Sequence, residues 1–166
     1  MATRFTTGGS ETNRVTGLSF IYTVNTPVGK GADNKKIADN QLVQLFLREF
    51  YNSRPALFKK LPKPTTDRTT QSILIDDKVG PQTIVGISVF QKEVIRLGGS
   101  AVFQDGVVSV PKGLRVAGTN HIFTIVQLNG FFFQNRVHAP FIENLEDHPF
   151  VKVLPELSAD LRRNKF

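Results

Sequence analysis

The stretch between Gly80-Pro81 and Gly98-Gly99 constrains this chain most, because it admits little except an amphipathic helix. Proline at a first helical position loses only an N–H that has no partner within the helix. A glycine pair stops the helix by entering backbone conformations that side chains resist. Between them Ile84, Ile87, Phe90 and Val94 recur at three and four residues and lay an apolar stripe along one face. A helix over 81–97 with Ile87 and Phe90 fully buried is predicted. Such a stripe needs partners.

The chain supplies two. Leu42, Leu45, Phe46 and Phe50 repeat at the same period, with Val43, Leu47 and Tyr51 widening the face. Asp39 is placed to cap that helix by accepting an orphan amide, and Pro55 ends it. A third helix is expected from near Thr119 or Asn120, with Ile122, Ile125, Val126 and Asn129 on one face and Phe131-Phe132-Phe133 continuing the burial. The fold class expected is mainly α, with crossing helices near 38–52, 81–97 and 120–134. Turns at Pro27-Val28-Gly29, Gln104-Asp105-Gly106 and Pro111-Lys112-Gly113 separate the elements. Val15 to Val24 is β-prone, although Ile21 interrupts the alternation of Phe20, Tyr22 and Val24. No internal repeat is legible.

Composition narrows the functions. A chain of 166 residues with 14 phenylalanines has one real core plus tails. With no cysteine there is no disulfide, thiolate nucleophile or Cys-ligated metal. No apolar run approaches the roughly 20 residues that span a bilayer, so no membrane span is expected. The first ten residues hold no apolar signal core, so no signal peptide is expected. Lys and Arg number 21 against 14 Asp and Glu, and the resulting +7 favours acidic partners, nucleic acid or an anionic wall polymer. Arg54, Lys59, Lys60, Lys63 and Arg68 form the densest basic stretch, but Pro55, Pro62 and Pro64 make it a solvated loop. No base-reading motif accompanies it, so no specific nucleic-acid partner is expected.

Catalytic patterns are absent. His121, His138 and His148 lack the spacing of a helical zinc site, so neither a metal nor a cofactor is expected. The three read as exposed or locally bonded side chains. Glycan cleavage needs two separated carboxyl groups facing one cleft, and Asp76 and Asp77 are adjacent in a turn. Glu49 and Glu93 read as solvent-side charges on amphipathic helices. There is no Gly-x-Ser-x-Gly elbow. The expectation is no catalytic residue and no enzyme.

Three segments, in order, resemble the peptidoglycan-binding-domain family. The most specific is Ile75-Asp76-Asp77-Lys78-Val79-Gly80-Pro81-Gln82-Thr83, continuing through Ile84 to Phe90-Gln91. It follows the family pattern of an apolar residue, Asp-Gly, two residues, Gly-Pro-x-Thr and later Phe-Gln, except that Asp77 stands where glycine is usual. Upstream, residues 28–34 and Leu42 to Leu47 resemble a loop and first helix of one branch of the family. Downstream, Asp105-Gly106-Val107-Val108 before Thr124 to Asn129 resembles its second turn and last helix. The resemblance covers roughly residues 28–130. It implies an orthogonal three-helix bundle over residues 28–135, with a longer loop at 53–72, an N-terminal arm over 1–27 and a C-terminal tail over 136–166. It also nominates Asp76, Asp77, Lys78, Val79, Gln82 and Thr83 as the lining of a shallow groove for the glycan or stem peptide.

Two functions follow as expectations. One is a non-catalytic peptidoglycan-binding module. The other is a structural or adaptor protein of a phage tail or contractile injection apparatus, using the fold for contacts with neighbouring subunits. The location expected is a virion or injection apparatus, or the cell wall after non-classical export. Apolar residues of the C-terminal tail, Phe141, Phe150, Leu154, Leu157 and Phe166, are expected to dock on a partner. Deleting residues 140–166 is then expected to leave the helical domain folded.

Overall fold

The first apolar stripe forms helix α1, Ile37–Asn52, in a computed structural model that describes residues 3–5, 18, 20–63, 72–98 and 101–163. Every residue from Ala38 to Leu47 is buried, so the helix is enclosed on all sides rather than half-exposed. It packs on α3 (Pro81–Arg96), α4 (Thr124–Gln134) and α6 (Pro155–Arg163). Short helices α2 (Pro55–Phe58) and α5 (Pro149–Lys152) and two 3-10 turns complete a mainly helical fold.

An enclosed helix cannot leave its polar side chains to water, and each of them ties down a different segment. Asp39 is not an N-cap: Lys36 holds that position without a side-chain bond. The Asp39 carboxylate instead accepts the backbone N–H groups of Asn25 and Thr26 and the Thr26 hydroxyl, at 2.8–3.2 Å. Asn40 donates to the carbonyls of Asn34 and Asp77 at 2.8 and 3.1 Å. Gln41 Oε1 accepts the N–H of Leu157, which fixes the start of α6.

Helix α3 has the expected bounds, with Gly80 at its N-cap, Leu97 at its C-cap, and Ile87 and Phe90 fully buried. Phe90 meets Phe50 and Phe131 edge-on, at 4.8 and 5.7 Å between ring centroids. Helix α4 begins at Thr124, later than expected. Residues 115–122 first form a tight hairpin, closed by an Arg115–Ile122 bridge and a left-handed Gly118. Ile125, Val126 and Asn129 are buried on the helix, as their spacing predicted, and Ile122 is buried from the hairpin. Of the loop at 53–72, α2 and the buried Leu61 lie close to the core, and residues 64–71 lie outside the described residues.

Described residues of both terminal segments join the core. Strand β1 (Thr3–Phe5) pairs antiparallel with β2 (Ile21–Thr23), and all three β2 residues are buried, which explains why Ile21 breaks a one-sided alternation. Asn129 brackets the Tyr22 backbone by accepting its N–H at 2.7 Å and donating to its carbonyl at 2.8 Å. The Tyr22 hydroxyl donates to Ile142 O and accepts from the N–H of Leu145. The tail expected to dock on a partner packs on this chain. Leu157 is fully buried, Leu154 and Phe141 are half-buried, and Phe150 is borderline at 36% exposed. Leu157 is covered because α6 closes over α1, so its side chain is not presented to a neighbour. Phe166 lies outside the described residues.

Candidate functional site

Two glutamines build the region that the motif pointed to. In α1, Gln44 donates through Nε2 to Asp76 Oδ1, the Lys78 carbonyl and Thr83 Oγ1 at 2.8, 2.9 and 3.3 Å. Its Oε1 accepts the Asp76 N–H, and Asp76 Oδ1 also accepts the Lys78 N–H. In α3, Gln91 repeats the arrangement with Asp105 Oδ1, the Val107 carbonyl and Thr124 Oγ1 at 3.0, 3.0 and 3.1 Å. Its Oε1 accepts the Gly106 N–H, and Asp105 Oδ1 accepts the Val107 N–H. Helix α1 thus holds the aspartate turn that leads into α3, and α3 holds the one that precedes α4.

The second turn is the tighter one. Strands β3 (Val28–Gly29) and β4 (Val107–Val108) pair antiparallel, and the Lys30 N–H donates to Gly106 O at 3.0 Å. Gly29 sits at φ +132°, and a Cβ there would collide with the Gly106 carbonyl. Gly106 itself is left-handed at φ +73°, where a Cβ would lie 2.8 Å from Ser88 Oγ. Both positions need glycine.

The six residues nominated at the first turn divide. Asp77 and Lys78 are exposed, and Asp76 and Val79 are partly so. Gln82 and Thr83 turn inward: Gln82 Oε1 accepts the Leu74 N–H, and Thr83 takes the Gln44 amide. They hold the turn rather than line a groove, because the first turn of α3 faces the core. A cleft that sequence reasoning did not nominate lies at the second turn. An open cavity of about 310 Å³ is lined there by Phe103, Asp105, Val107, Ser109, Val116, Ile122, Phe123 and Thr124. Phe103, an aromatic residue two positions before the Asp105-Gly106 turn, was its one legible signal.

Among the described residues, no group of three or more His, Asp or Glu side chains is placed to hold a metal ion, and no helix is long and apolar enough to cross a membrane. No family model, curated protein or solved structure matches this chain.

Glu49 and Glu93 are not the solvent-side charges that the sequence suggested. Glu93 is covered by Arg96 at 2.6–2.7 Å, and that guanidinium holds its carboxyl below the usual carboxylate range. Burial pushes the Tyr51 phenol, which donates to Gly86 O, well above its ordinary range. Glu49 is covered because residues 138–150 fold over the end of α1. Its Oε2 lies 2.9 Å from His138 Nε2, and His138 Nδ1 lies 2.7 Å from His148 Nε2. The Phe150 N–H donates to His148 Nδ1, which sets the direction of the chain of hydrogen bonds. His148 then donates through Nε2 to His138, and His138 donates through Nε2 to Glu49.

Burial, with His138 beside it, lowers the His148 pKa from 6.5 to about 4. A group harder to protonate in the folded state stabilises the fold above the unfolded pKa near 6.5 and loses that contribution as pH falls through about 4. The loss is about 3 kcal/mol. Melting at about pH 7.5 and pH 4.5 should therefore show a drop that His148→Gln flattens. An equal drop in that variant would remove the histidine pair as its cause.

Proposed function

We propose that this chain is a non-catalytic peptidoglycan-binding module, with crossing helices over residues 28–135 carrying two aspartate turns. The observation that carries this reading is the paired glutamine clamp. Gln44 with Asp76 and Thr83, and Gln91 with Asp105 and Thr124, form two like polar clamps, one at each turn. The second clamp shares Asp105, Val107 and Thr124 with a cleft of mixed polarity, suited to a neutral polymer rich in hydroxyl and amide groups. The net charge of +7 adds attraction to anionic walls.

Purified protein should sediment with cell-wall sacculi and release no soluble fragments or reducing ends. Binding should persist at about 0.5 M salt, where charge attraction is screened within roughly 5 Å. Failure to sediment, or loss of all binding at that salt, would defeat the reading; released fragments would defeat its non-catalytic part.

A second reading, an adaptor of a phage tail or injection apparatus, draws on the apolar surface of the C-terminal segment. Val137, Phe150 and Val153 are 69%, 36% and 74% exposed. A monomeric mass in solution would count against self-assembly through that surface.

A further inference from the structure

We propose that the cavity at the second aspartate turn seats one neutral N-acetylhexosamine ring of the glycan strand, stacked on Phe103. The inference rests on the wall-binding reading and names the part of the polymer that is held. Phe103 is 43% exposed, although it lines a cavity otherwise walled by Val107, Val116, Ile122 and Phe123. An exposed ring beside a cleft offers a flat apolar face to a ligand.

Its orientation is built. His121 lies flat against the ring, 4.3 Å between centroids and 5° from parallel, and does not itself line the cavity. The imidazole is thus a backing plate that fixes Phe103 before any ligand arrives. A preset ring loses little side-chain freedom on binding. The negative face of an aromatic ring attracts polarised C–H groups, which a pyranose presents along its flat side.

The rim decides which ring. Asp105, Ser109 and Thr124 are the polar lining residues, and Asp105 is the sole charge among them. Asp105 uses Oδ1 for the turn, so Oδ2 remains to accept from a sugar hydroxyl or acetamido N–H. The Asp105 carboxylate in the lining disfavours a stem peptide, whose free carboxyl groups bring negative charge. A cavity of about 310 Å³ suits one ring rather than an extended peptide. The neutral sugar of the alternating strand fits these terms.

The test titrates the full chain with the tetramer of N-acetylglucosamine, followed by amide NMR shifts and calorimetry. Saturable shifts at residues 103–109 and 116–124 are expected. Phe103→Ala should weaken binding about tenfold or more, while Phe103→Trp, which keeps a stacking face, should hold or strengthen it. Wall sedimentation is measured on the same samples. Sedimentation without tetramer binding, or with Phe103→Ala binding as well as the parent, overturns the stacking seat and leaves the wall-binding reading. Tetramer binding that depends on Phe103 without sedimentation supports the seat and defeats the wall as its target. An unfolded Phe103→Ala is recognised from its amide spectrum, and the comparison then passes to Phe103→Trp against Phe103→Leu, where equal affinities overturn the seat.

Discussion

A chain ending at residue 139 should fail to fold. Leu145, Val151 and Leu157 are fully buried and Leu161 is 5% exposed, all of them from the segment removed. Burying each contributes about 1.5–3 kcal/mol, so their loss removes roughly 6–12 kcal/mol. A domain of this size is stable by only about 5–15 kcal/mol. The deletion also strips Tyr22 of both hydroxyl partners, Gln41 of its bond to Leu157, and His138 of His148. Circular dichroism should show no cooperative melt, and amide NMR signals should collapse into the random-coil range. A truncated chain with the parent's helical signal and a melt within a few degrees would show that α6 is dispensable. The result also bears on assembly, since a segment needed to close the core has only its outer face left for a neighbour.

The helical stripes were legible because each is long, regular and bounded by glycine or proline. Residues 81–97 needed no tertiary information, since Gly80-Pro81 and the glycine at 98 act locally. Three other features were not legible, each for its own reason. Asp39 looked like a cap because capping chemistry and turn-holding chemistry use the same carboxylate, and only the position of Thr26 decides between them. The α4 start was read early because the stripe begins at Ile122, whose burial comes from a hairpin rather than from a helix. The tails were read as spare apolar surface because periodicity reports a buried face without naming what buries it. For the site, the resemblance drew attention to the first aspartate turn and to Gln91, whose amide binds the second turn. It also placed Gln82 and Thr83 outward, when both face the core. The doubled clamp escaped notice since Asp76 and Thr83 are seven residues apart, while Asp105 and Thr124 are nineteen apart. The chemistry repeats, but the spacing does not.

Gln91→Leu is expected to cost about 3–6 kcal/mol, the largest effect of any single substitution at the clamps. The leucine matches the glutamine in bulk, so the effect is polar rather than a cavity. Gln91 is fully buried, and without it the buried Gly106 N–H and the Thr124 hydroxyl each lose a partner, as does the Val107 carbonyl. A buried group left unpaired costs about 1–3 kcal/mol. Gln44→Leu makes the same change at the first turn, where Lys78 is exposed and Asp76 half-exposed, so water can replace what the amide supplied. The loss there should be about half as large. Paired denaturant titrations of the two variants check the difference. Equal losses would mean that burial does not set the strength of the clamp, and a Gln91→Leu variant as stable as the parent would show that the second turn holds without it. Asp105, Val107 and Thr124 line the cavity as well as binding Gln91. The same substitution should therefore weaken sugar binding at temperatures where the variant remains folded, because the turn that shapes the rim has lost the side chain that fixes it.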